Sequence, residues 1–301
     1  MPISKKPRKK TPAKAGSPEK TSAPPPLPDR RGMEAFMAGL LGRHQGNDPT
    51  DAAQGLIYEV WETSSPAKRI ALARKALKLS PVCADAYVLL AEEAAISAEE
   101  ELNYYQRGVE AGEIALGPDG FEEYAGHFWG FLETRPYMRA RAGLADVLWR
   151  LGQHQKAIGH WQEMLKLNPN DNQGVRYVLA GHLLTLGSIT ALKTLIRQYE
   201  EDGSAMWLYT QVLLAFRDND PDAEKLTAEA WIANSHVPGV LSGRQPVVVS
   251  RDGYITMGGA DEAGEYVKEN LRAWQTTAGA IEWLTRVTAA LSPRRKGRAA
   301  R

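Results

Sequence analysis

The stretch Met138–Asp171, MRARAGLADVLWRLGQHQKAIGHWQEMLKLNPND, constrains the fold more than any other part of the chain. Ala140, Leu144, Val147, Leu148 and Leu151 recur at helical spacing and form one apolar stripe. Ala157, Ile158, Trp161, Met164, Leu165 and Leu167 form a second. Gly152 between them can take the left-handed backbone that ends a helix. Pro169 cannot continue the second helix and restricts Asn168 before it. Two helices joined tightly and stopped sharply must double back and bury their stripes against each other. Neither stripe is satisfied by the other alone, so further hairpins must stack on this one.

Counted from Met138, the hairpin resembles the tetratricopeptide (TPR) consensus, a helix–turn–helix unit of about 34 residues. Leu144 sits at the consensus leucine, Ala145 at the small position beside it and Leu148 at the next large one. Ala157 takes the small position at the helix crossing, Trp161 the aromatic one, and Pro169 the closing proline. Alanine at a crossing lets two helix axes approach to about 8–10 Å. Arg141 stands where that family usually has tryptophan, and Met164 where it has alanine.

Fainter copies of the pattern occupy much of the chain. Short amphipathic periodicity over Met33–Leu41 is followed by helical patterns at Thr50–Trp61, Ser65–Leu79, Ala84–Ile96 and Glu99–Ala115. The phrase KALKLSP ending at Pro81 echoes MLKLNP. The block 119–137 is unusually aromatic and reads as another helix with a wide apolar face through Phe121, Tyr124, Phe128, Trp129 and Phe131. Asn172–Leu186 with Ile189–Tyr199, and Ser204–Asp218 with Asp222–Ser235, form two degenerate pairs. NSHVPGVLSG then breaks the helical pattern. Val247-Val248-Val249 and Tyr254-Ile255-Thr256 flank Asp252-Gly253, a hairpin signal. Helices capped by Asp261 and Thr277 close the chain.

The expectation is an all-α, TPR-like α-solenoid over residues 32–239, with a small C-terminal β-hairpin and helix cap over 240–292. The phrase FWGFLETRPYMRARAGLADVLWRLG also resembles the TPR-type region of bacterial relatives of the suppression-of-tumorigenicity family, across residues 60–240. That resemblance implies the same helical fold and no particular activity.

The net charge of +1 hides an asymmetry. Residues 1–31 hold nine Lys/Arg against two acids, and residues 293–301 hold five and none. An acidic body therefore carries two basic tails, and their composition predicts disorder. Such tails suit either solvated ends or electrostatic arms for nucleic acid. Cys83, the one cysteine, allows no internal disulfide and points to a reducing, cytoplasmic setting. No stretch reaches the ~18 apolar residues of a membrane span, and the N-terminus lacks the apolar core of a secretory signal.

The sequence offers no recognised chemistry, and neither a cofactor nor a metal is expected. His44, His127, His154, His160, His182 and His236 show no i, i+4 pairing or HExxH. The glycines of TMGGADEAG do not follow a strand in GxGxxG or GxxxxGK(S/T) order, so a phosphate loop is not expected. Adjacent acids such as Glu122-Glu123 face apart on a helix. The TPR resemblance implies a groove lined by the first helix of each pair, which maps to Arg139, Ala142, Asp146, Trp149 and Arg150, with Gln173 and Arg176 in the next pair. With Arg135 these make a cluster of arginines beside a tryptophan, suited to a carboxylate, a phosphate or an acidic peptide. The competing account pairs the arginines internally with acids such as Glu123, Glu133 and Asp146. The expected function is a non-catalytic scaffold binding a peptide or protein segment in that groove. The alternatives are a nucleic-acid-associated protein using its tails, and an enzyme with a site near His127, Arg135 and Tyr137.

Overall fold

The central hairpin forms as its pattern demands. In the computed structural model, which describes residues 30–40, 48–250 and 255–291, α6 (Arg135–Arg150) and α7 (His154–Leu167) run back against each other. Gly152 takes the left-handed backbone, φ 75°. Its amide donates to the Trp149 carbonyl and that of Gln153 to Leu148, satisfying the carbonyls left over at the end of α6. Ala140, Ala145 and Ala157 are fully buried at the crossing, and Trp161 is almost so.

Four further pairs repeat the arrangement. They are α2 (Pro49–Trp61) with α3 (Pro66–Leu79), α4 (Ala84–Glu93) with α5 (Ala98–Glu123), α8 (Val175–Leu186) with α9 (Ile189–Gln198), and α10 (Ala205–Arg217) with α11 (Ala223–Ala233). First helices touch first helices: α2 packs on α4, α4 on α6, and α8 on α10. A continuous core runs through the stack from Val88 to Leu284, with a second cluster under α2–α4 centred on Ile57, Leu72 and Leu89. This is an α-solenoid of helical hairpins, and among the described residues there is no strand.

Three additional helices complete the chain: α12 (Val237–Leu241), α13 (Ala260–Gln275) and α14 (Ala280–Leu291). A short helix, α1 (Arg30–Leu40), precedes the array. The helix α13 packs across α8 and α10, and α14 packs on α11 and α12. Contact between α8 and α13 is close enough that a Cβ on Gly181 would meet the Asn270 Oδ1 at 2.9 Å. Arg217 fastens the two ends, donating to the Leu184 carbonyl of α8 (2.7 Å) and the Ala273 carbonyl of α13 (3.0 Å). A cation there suits two helix C-termini.

Several expectations are corrected. The expected C-terminal β-hairpin does not form among the described residues. Val247-Val248-Val249 carries no ladder, and its backbone instead lies over Gly264 of α13, where any side chain would collide with the Val248 carbonyl. The Asp252-Gly253 turn lies outside the described residues. NSHVPGVLSG is not free of helix, since α12 falls inside it. The aromatic block does not form one helix. Helix α5 breaks at Gly117 (φ 62°) and ends at Glu123, and residues 124–134 are a chain of turns. The Thr134 hydroxyl fixes those turns by donating to the Phe128 and Phe131 carbonyls. The basic tails lie outside the described residues, apart from the two arginines that open α1.

Candidate functional site

The first turn of α6 is set by Pro136, which costs little where no intrahelical amide bond is due. It places Arg135 and Arg139 one turn apart on the face made by the first helices. Arg135 donates from Nε to the Trp129 carbonyl at 3.0 Å and stands 5.3 Å over the Trp129 ring. Arg139 stands 5.2 Å over Trp61 of α2.

Arg139 grips two carboxylates. Its Nε and Nη2 donate to Asp85 of α4 at 2.8 and 2.5 Å, and its Nη1 and Nη2 to Glu34 of α1 at 2.9 and 3.0 Å. Arg135 adds a bond to Glu34 at 3.1 Å. Gln54 of α2 donates from Nε2 to Asp85 Oδ2 at 2.8 Å, the same oxygen that Arg139 Nη2 bonds. Asp85 and Glu34 are only 2% and 3% exposed. Burial opposes the charge on Arg139, yet the two carboxylates override it and hold its pKa above the ordinary arginine value. Bidentate pairs of this kind are the strongest and most directional ion pairs proteins make.

The helix that delivers Glu34 is oriented against its own pattern. Arg31, Glu34, Ala35 and Ala38 fall at i, i+3, i+4 and i+7 and face the array. Arg31 makes a two-bond pair with Glu92 of α4 (2.9 and 2.6 Å) and stands over Trp61. Ala38 is buried against Tyr58 and Leu132. The large apolar residues point away, with Phe36 67% and Leu40 78% exposed. So α1 is held mainly by ion pairs and one methyl-sized contact, laid across α2, α4 and α6.

The remaining residues of the expected groove are placed apart from this clamp. Arg150 pairs with Glu101 at 2.5 Å in an exposed position. Asp146 faces α13, and loss of hydration, together with Glu269, pushes its carboxyl up to about 6. Trp149 is half-buried and stacks on His182 (3.7 Å) and His154 (4.2 Å). Arg176 is held by Asp171 (3.0 Å) and Asp202 (2.7 Å) and lies over Tyr177 and Tyr199. Arginine pairing is therefore with Glu34, Asp85, Glu101, Asp171 and Asp202. The Asp85, Glu34 and Trp61 contributions were not anticipated from the sequence. A signal existed for Glu34, the one charge inside the apolar run MEAFMAGLL, and for Asp85, an acid inside ADAYVLLA.

His127, Arg135 and Tyr137 do not converge. His127 is exposed, Arg135 turns to Glu34, and Tyr137 is buried against Phe121 and Phe128 with its hydroxyl bonded by Arg141. Cys83 is buried, and that burial pushes its thiol up to about 12, away from thiolate reactivity. Among the described residues no helix is long and apolar enough to cross a membrane.

The chain is similar to several known proteins. "Suppressor of tumorigenicity 7 protein-like" of Gallus gallus is 26% identical over 259 residues, covering 76% of this chain and 45% of that protein. "Protein ST7 homolog" of Drosophila pseudoobscura pseudoobscura is 25% identical over 256 residues, covering 76% and 47%. The chain thus spans less than half the length of these relatives. A solved structure that it resembles is YrrB, described as a TPR protein with an unusual peptide-binding site, at 20% identity and a TM-score of 0.43, covering 66% of this chain and 91% of that one. The family model described as "ST7 protein" matches residues 44–218, more than half of the 301, and the chain belongs to the ST7 family.

Proposed function

We propose that the protein is an interaction scaffold that holds an acidic segment of a partner protein on the face built by α2, α4 and α6, with Arg135 and Arg139 as the carboxylate clamp. One observation carries this reading: the buried Arg139, paired with Asp85 of the hairpins, also closes on a carboxylate that a separate short helix delivers. The other half of the first-helix side is filled by α13, whose Tyr266, Asn270 and Trp274 are buried, so it offers no comparable seat. Repeat arrays present extended surfaces suited to such binding. YrrB's description as a peptide-binding protein is a property of that protein and adds no support here.

The test is fluorescence anisotropy of a labelled Glu-rich helical peptide and its all-Gln counterpart, titrated with the full chain at low and physiological salt. The acidic peptide is expected to bind and the Gln peptide to bind at least tenfold more weakly, since a hydrogen bond to a charged group contributes about 1.5–3 kcal/mol. Arg135→Gln should lose most of the difference. Indistinguishable curves for the two peptides would remove the proposal.

A further inference from the structure

The way α1 sits on the clamp also specifies what a partner must look like. We infer that the partner segment is an amphipathic helix presenting Arg-x-x-Glu-Ala-x-x-Ala along one face, and that it exchanges with α1 for the same seat. The inference rests on the scaffold reading above and narrows its ligand.

Three positions of the motif have their own receivers. The arginine meets Glu92 and the face of Trp61, as Arg31 does. The glutamate meets Arg139 and Arg135 together, as Glu34 does. The last alanine enters the slot between Tyr58 and Leu132, where Ala38 is 1% exposed. A larger side chain there would have to push α1 away from α2. Spacing of three, four and seven residues is helical, so an extended peptide cannot make the three contacts at once.

Exchange follows from how little apolar surface α1 buries. It buries Ala38 fully and Glu34 nearly so, while Phe36, Met37 and Leu40 face solvent. An isolated helix of 11 residues is marginal in water. What keeps α1 seated is its ion pairs to Glu92, Arg135 and Arg139, made intramolecular because α1 belongs to the same chain. A partner helix that makes the same contacts and adds any of its own competes with those pairs. Withdrawing the Glu34 carboxylate should open the seat without removing a residue from it.

The experiment is competition anisotropy on the full chain and on its Glu34→Gln variant. The labelled probe is a peptide with the sequence of residues 28–42. Unlabelled competitors are the parent peptide, its Glu34→Gln, Arg31→Ala and Ala38→Leu forms, a triple form with Phe36, Met37 and Leu40 replaced by Ser, and a scrambled peptide of identical composition. The probe is expected to bind the Glu34→Gln protein at least fivefold more tightly than the wild type. The Glu34→Gln, Arg31→Ala, Ala38→Leu and scrambled peptides should each compete at least fivefold less well than the parent, and the triple-Ser form equally well. If the scrambled peptide matches the parent, acidic binding stands and this motif is wrong. If neither the probe nor the Glu-rich peptide binds either protein, the scaffold reading falls with it. A probe that binds wild type and Glu34→Gln equally overturns the exchange.

Discussion

Arg139 and Arg150 lie on one helix, and both make ion pairs of about 2.5 Å, yet they differ in what their loss would do. Arg139→Met leaves buried Asp85 with only the neutral Gln54 and buried Glu34 with Arg135, and breaking a buried pair on one side costs about 3–5 kcal/mol. Arg150→Ala touches only an exposed pair, worth at most about 1 kcal/mol. Urea denaturation of the two variants should separate them clearly, and similar midpoints would contradict the clamp's geometry. His182 supplies a pH test. It lies between Trp149 and Trp161, and burial, with the nearby His154, lowers its pKa to about 4. An unfolded chain takes up that proton near pH 6.5. Between pH 6.5 and 4 the unfolded state therefore binds more protons, and stability contributed by neutral His182 is lost as pH falls through that window. The His182→Phe variant keeps a flat ring in the stack. Its stability advantage over the wild type should grow on going from pH 7 to 4, to at most about 3 kcal/mol. A constant difference across that range would refute the assignment.

At the scale of elements, the close approach of α5 and α6 depends on Gly112. A Cβ there would lie 2.8 Å from the Tyr137 Cβ and 3.1 Å from its Cα, so one helix must move. Gly112→Ala should destabilise by about 1–3 kcal/mol. Gly159, in the exposed middle of α7, has nothing within 4 Å of such a Cβ, and Gly159→Ala should stabilise by about 0.5–1 kcal/mol. Opposite shifts in denaturation midpoint are the expected readout. The aromatic segment after α5 shows why periodicity misled. Phe121, Tyr124 and Phe128 have helical spacing, but Gly126 at φ 83° and the Thr134 bonds to two carbonyls fold the chain into turns that direct Phe128 inward and His127 out. Aromatic rings pack equally well from turns, as the Tyr124–Phe131 contact at 4.7 Å shows.

For the whole molecule, the two helices that lie on the first-helix side are held by different forces. Helix α13 buries Tyr266, Trp274 and Val267 and bonds Trp274 Nε1 to the Tyr266 hydroxyl at 2.9 Å. Helix α1 is held by polar contacts that water can replace. Amide hydrogen exchange should therefore be faster in α1 than in α13 by orders of magnitude, because local opening follows buried apolar contact. Equal protection would mean that α1 is part of the fixed core. Trp274→Ala should cost about 3–5 kcal/mol, as large core truncations do.

The hairpin at 138–171 was legible because its information is local: stripe spacing, a left-handed glycine and a proline stop act within a few residues of one another. The stacking of five such pairs followed from the same periodicity, since each stripe needs a neighbour to cover it. The clamp was half legible. Arg135 and Arg139 could be placed on the inner face by counting, but their partners come from 54 and more residues away, and no local pattern links Arg139 to Asp85 or Glu34. The inverted seating of α1 was not legible at all, because its apolar residues predict the opposite face inward. Sequence alone set the central hairpin and the stacking of paired helices around it, since those depend on near neighbours. Tertiary structure decided which carboxylates meet the arginines and which half of the inner side α13 closes, since Coulomb attraction and packing act between atoms close in space wherever they lie along the chain.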